Sequence, residues 1–196
     1  ETDNRLDFDN PKNMAFSAGP DYNYIFKYKE HEGVLAARQV INETEKEFSE
    51  IFGRSYTGLI ENYLTDDADY IIVTLGSIAG LCRETADDLR SRGVRAGVLR
   101  IRYMRPFPNQ EIADTLKNAK AYAVLEKDVS FGNEGTVFTN VNSALKKASV
   151  DVKGYNYIGG LGGRNISSAD IERIFSDMEN GAETVNFIGI GGENNG

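Results

Sequence analysis

Four short stretches of the chain carry residue types and spacings that can do chemistry. In VTLGSIAG, residues 73–80, an apolar run meets Gly76 and Ser77 and passes into a helical pattern. Gly76 permits a tight turn, and the amides of Ser77 and Ile78 then stand at a helix N-terminus, which stabilises an anion. The same residues also read as a plain β–α turn with Ser77 as the helix cap. The stretch is neither GxGxxG nor a Walker loop, since no lysine follows the glycine. In IGGLGGRNISS, residues 158–168, four glycines within five residues precede Arg164. Gly162, Gly163 and Arg164 make a second candidate phosphate cradle, or else a turn packed against a neighbour.

The other two stretches are charged. LEKDVSFGNEGTVF, residues 125–138, gathers Glu126, Lys127, Asp128 and Glu134 around a strand end. Carboxylates beside an ammonium can exchange protons, but no His or Cys accompanies them, and solvated loop charges are the simpler account. In RIRYMRPFP, residues 100–108, strand alternation puts Arg100, Arg102 and Met104 on one side and Ile101, Tyr103 and Arg105 on the other. Charge of this kind protects a sheet edge, and proline ends the strand. The competing reading makes Arg100, Arg102, Arg105 and Glu126 interface or ion-pair residues, with Arg105 the first candidate for the pair.

Composition removes most other chemistries. The chain has one Cys, Cys82, and one His, His31, so a disulfide, a Cys/His zinc site and a four-Cys cluster cannot be built from it. A net charge of −8 argues against nucleic acid or an anionic membrane as partner. No apolar run approaches the roughly 18 residues of a bilayer span. The polar, acidic start, ETDNRLDFDNPKN, is unlike a secretory signal, and the lone cysteine fits a reducing compartment, so the expected location is the cytoplasm.

These stretches need elements to hold them. Tyr22, Tyr24, Phe26 and Tyr28 alternate with other residues and predict an extended segment. From Glu32 to Phe52 the apolar residues follow a helical period and Gly53 stops it. Beyond residue 66, apolar strands at 70–74, 94–101, 121–126 and about 152–158 alternate with helices over 77–92, 109–118, 136–148 and 167–175. The last helix opens on Ser167 with Asp170 three residues on, a capping box. The sequence TVNFIGI suggests a final short strand. Strand–helix alternation predicts a three-layer α/β/α fold with a largely parallel sheet. The expected organisation is an arm with one long helix over 1–65, an α/β domain over 66–190, and a disordered tail over 191–196.

The segments YIIVTLGSIAG, GVLRIRYMRPFPNQEIADTL and AYAVLEKDVSFGNEGTVF, in this order, resemble the C-terminal domain of transketolase-like, thiamine-diphosphate-dependent enzymes. The earlier GPDYNYIFKYKEHEGVLAARQVINETEKEFSEIFGRSY resembles the linker that precedes this domain in pyruvate-type 2-oxoacid:ferredoxin oxidoreductases. The likeness runs from about residue 14 to 175. It implies an enzyme that decarboxylates a 2-oxoacid, passes electrons through iron–sulfur clusters to ferredoxin and transfers the acyl group to coenzyme A. In that family the thiamine diphosphate and magnesium lie between a pyrimidine domain and a diphosphate domain. The GDG diphosphate motif and the cluster cysteines are absent from this sequence.

The resemblance therefore implies that this chain is the C-terminal part of an alpha subunit. It carries no catalytic residue, binds none of those cofactors alone, and works through other domains and subunits. It is expected to expose aromatics in the arm and to tend toward a homodimer. The alternative is a self-sufficient module that binds a phosphorylated ligand, such as coenzyme A or a nucleotide, on Gly76, Ser77 and the Gly159–Arg164 loop.

Overall fold

In a computed structural model, residues 7–11, 17–56 and 58–190 are described. The expected tail over 191–196 lies outside them. The first element among the described residues is a 33-residue helix, α1 (Pro20–Phe52). Six strands and four further helices follow: β1 (Ile60–Tyr63), β2 (Tyr70–Leu75), α2 (Ile78–Ser91), β3 (Ala96–Ile101), α3 (Asn109–Leu116), β4 (Ala121–Glu126), α4 (Thr136–Lys147), β5 (Lys153–Ile158), α5 (Ser168–Asn180) and β6 (Val185–Phe187).

The six strands form one sheet in the order β1-β3-β2-β4-β5-β6. β1 runs antiparallel to β3, with Ile60 opposite Ile101, and every other pairing is parallel. β2 is central, with Tyr70 level with Ala96 on one side and Ala121 on the other. Strand alternation sends Ile72, Val98, Ala123 and Tyr155 to one face, where Cys82, Ala86 and Leu89 of α2 and Ile171, Ile174 and Phe175 of α5 cover them. Ile71, Val73, Leu99 and Val124 face the other way, under Ile112 and Leu116 of α3 and Val137, Phe138 and Val141 of α4. This is the expected three-layer α/β/α architecture.

Two departures concern the first third. The stretch Tyr22–Tyr28 is helical, not extended, and continues without a break into the predicted helix. Pro20 in its first turn starts the helix at the place where a missing N–H costs nothing. The alternating rings face no sheet: Tyr22, Tyr24, Phe26 and Tyr28 are all exposed. Residues 60–63, read as part of the arm, instead form an edge strand of the sheet. α1 buries none of its residues. It is held by polar contacts, Arg38 with Glu111 of α3 and Glu45 with Arg102, and by Phe48 against Tyr56, ring centroids 5.6 Å apart.

Candidate functional site

The path of the chain creates a crevice. After β2 the chain moves through α2 toward β3; after β4 it moves through α4 toward β5, on the other side and the other face. The loops that leave neighbouring strands β2 and β4 therefore diverge at their carboxyl ends, the place where open α/β sheets characteristically bind ligands. A cavity of about 440 Å³ lies there, lined by Leu75–Ile78 from the first loop, Leu125–Asp128, Thr136 and Val137 from the second, and Met104 and Ile166 from flanking loops.

Gly76 makes the first turn with φ +72°, a conformation that strains a side-chain-bearing residue. Ser77 then occupies the cap position of α2 in helical geometry, φ −73° and ψ −27°, and its side chain makes no capping bond. The serine-cap reading is thus corrected: a cap side chain reaches the helix amides from extended backbone, which Ser77 lacks. Ser167 has that backbone, ψ 165°, and forms the expected capping box with Asp170.

Glu126 is the buried charge of the site. It is 2% exposed, so it is neither a solvated loop charge nor, among the described residues, a member of an ion pair. Its Oε2 accepts from Val137 N at 2.7 Å, and its Oε1 from Phe138 N at 3.1 Å and Asn156 Nδ2 at 2.9 Å. Asn156 in turn accepts from Gly135 N at 2.7 Å. The strand-end carboxylate therefore satisfies the free amides that open α4, where it also meets the positive end of the helix dipole. Gly135 is required by this packing, because a Cβ there would overlap the Glu126 carboxyl. Burial pushes the Glu126 pKa up, opposed by the Val137, Phe138 and Asn156 hydrogen bonds.

The other predicted residues scatter. Gly162, Gly163 and Arg164 form an exposed turn outside the cavity, and the Arg164 guanidinium lies against Gly189, 3.2 Å from where a Cβ would stand. They do not join Gly76 and Ser77 in one cradle. Arg100 pairs with Glu61 of β1 at 3.5 Å, a carboxylate shared with Arg83 of α2 at 2.5 Å. Arg102 pairs with Glu45, donates to Gly58 O at 2.9 Å and lies over the Tyr56 and Tyr103 rings, 4.9 and 5.6 Å from their centroids. Arg105 instead is exposed; it lies over the Phe107 ring at 5.9 Å and donates to Met104 O at 2.6 Å. β3 ends at Ile101, so the expected strand alternation does not extend to Arg102 and Arg105.

Cys82 is fully buried on the inner face of α2, and burial pushes its thiol up to about 12, which removes it as a nucleophile near neutral pH. Among the described residues, no group of three His, Cys, Asp or Glu can hold a metal ion, and no helix is long and apolar enough to cross a membrane. What the cavity offers is an apolar wall, one buried carboxylate and a polar rim. It has no nucleophile–base pair.

Comparison with known proteins places this fold. Residues 68–171 match the family described as pyruvate:ferredoxin oxidoreductase core domain II. The chain is 38% identical over 185 residues to the pyruvate synthase subunit PorA of Methanothermobacter thermautotrophicus, a match covering 94% of this chain and 47% of that protein. It is 38% identical over 178 residues to the ketoisovalerate oxidoreductase subunit VorA of Pyrococcus horikoshii, covering 91% of this chain and 45% of that protein. The chain thus spans about half the length of the curated relatives it matches. A solved 2-oxoglutarate:ferredoxin oxidoreductase from Magnetococcus marinus shares the fold, with a TM-score of 0.53 at 18% identity over 86% of this chain and 27% of that one.

Proposed function

Because this chain belongs to the pyruvate:ferredoxin oxidoreductase core domain II family, we propose that it is a non-catalytic, architectural domain of the alpha subunit of a cytoplasmic 2-oxoacid:ferredoxin oxidoreductase. In this reading the whole enzyme oxidises pyruvate to acetyl-coenzyme A and reduces ferredoxin. Thiamine diphosphate, magnesium and iron–sulfur clusters are held by other domains and subunits, and coenzyme A and ferredoxin meet the assembled complex. The domain's part is to hold neighbouring domains in place, with self-association into a homodimer as a further expectation.

One observation supports the architectural role above the rest. A ligand phosphate at the end of β4 would need the amides that open α4, and Glu126 already takes two of them. A carboxylate in that position repels the diphosphate of thiamine diphosphate and of coenzyme A alike.

Calorimetric titration of the chain with coenzyme A, and separately with thiamine diphosphate plus magnesium, tests the reading. Neither is expected to give saturable heat at concentrations on the order of 1 mM, the upper end of ordinary substrate affinities. Adding the chain to the remaining domains and subunits of the enzyme is expected to give a co-eluting complex that binds both. Tight binding of either cofactor by the chain alone overturns the proposal.

A further inference from the structure

The cavity between β2 and β4 has features that an architectural domain does not need. Its volume, about 440 Å³, is that of a pocket for a small organic molecule. Leu75, Ile78, Met104, Leu125, Val137 and Ile166 make its apolar wall. Glu126 belongs to the same lining and is 2% exposed. An ionised carboxylate has about four acceptor positions. The protein fills two on Oε1 and one on Oε2, so Oε2 keeps a position for one more donor. Lys127 also lines the cavity, with its stem along Gly160, where a Cβ would meet its Cε at 2.8 Å. Asp128 adds a second carboxylate to the lining.

We propose that this cavity binds a small neutral or cationic molecule, with an apolar body about one ring in size and an N–H or O–H donor directed at Glu126. Anions are disfavoured, since Glu126 itself occupies the opening of α4 and Asp128 adds a second carboxylate against the one ammonium of the lining, Lys127. The site is separate from the assembly role and does not depend on it.

The test uses three single-ring probes that differ in their polar group: benzylamine, phenol and benzoate. They are titrated into the isotope-labelled chain while the amide signals of Ile78, Val137 and Phe138 are followed by NMR. Benzylamine and phenol are expected to shift these signals saturably, and benzoate to leave them unmoved. Glu126→Gln is expected to weaken benzylamine about tenfold or more and phenol less, because benzylamine loses an ion pair while phenol loses only the charge on its acceptor. Met104→Trp fills the cavity while leaving the Glu126 cap intact, and is expected to abolish binding of both; it decides the matter if Glu126→Gln does not fold. Benzoate binding as well as benzylamine, benzylamine binding unchanged in Met104→Trp, or no probe moving these signals each overturns the proposal.

Discussion

Ser77 and Ser167 both precede helices, yet only Ser167 bonds to the helix it opens. Ser77→Ala is therefore expected to change stability by less than about 0.5 kcal/mol, while Ser167→Ala costs about 1–2 kcal/mol; urea midpoints of the two variants check the contrast. Two buried tyrosines of β5 give a second contrast. Tyr157 donates to Asp177 at 2.7 Å, whereas the Tyr155 hydroxyl is buried with no hydrogen-bond partner among the described residues. Removing a bond to a charged acceptor costs about 1.5–3 kcal/mol, and removing an unsatisfied hydroxyl costs nothing. Thermal unfolding should show Tyr157→Phe less stable than the parent chain and Tyr155→Phe equal to it or more stable. The Ser167 cap was legible because its partner is three residues away. Glu126 was not, because its partners lie 11, 12 and 30 residues further on. The available signal was Asn156, a polar residue inside an apolar strand, which must have a partner when buried.

At the scale of elements, the βα alternation from β2 to α5 could be read because each unit buries its own apolar face and keeps its own period. The first three turns of α1 are exposed on every side, so nothing there sets a helical period and they read as extended. β1 has only four residues, and its antiparallel pairing with β3 depends on residues about 40 positions away. The attachment of α1 rests on few groups, which makes it testable. Glu45 and Arg102 are 12% and 17% exposed at their side chains, and Glu45 also accepts from Gly58 N at 2.5 Å. Arg102→Ala leaves that carboxylate with Gly58 N but without its ion-pair partner, and removes the guanidinium from two rings. Opening of α1 is expected to become easier by about 1.4 kcal/mol or more, a tenfold rise in limited proteolysis within α1. The unfolding of the sheet, whose core lacks α1, is expected to shift far less.

For the whole molecule, the starts of three central strands meet at one carboxylate. Asp69, just before β2, bonds to Arg95 before β3 at 2.5 and 3.0 Å and pairs with Lys120 before β4 at 3.2 Å. The Arg95 hydrogen bonds, and then Lys120, hold its pKa below the ordinary 3.8. A depressed folded value means stability that is fully present above pH 3.8 and is lost as pH falls through the folded pKa. Asp69→Asn should accordingly be less stable than the parent chain at neutral pH, with the difference closing in strong acid, as acid-unfolding curves of the two chains would show. The sheet's two outermost strands have a different consequence. β1 and β6 both lie outside residues 68–171, the segment that matches the family. A piece trimmed to that segment would bare the four residues of β3 that β1 covers and the three of β5 that β6 covers, completing two six-residue open rows of backbone donors and acceptors. Such rows template one another, so the trimmed piece would polymerise side by side. The segments either side of the family core therefore act as stoppers that keep the sheet finite.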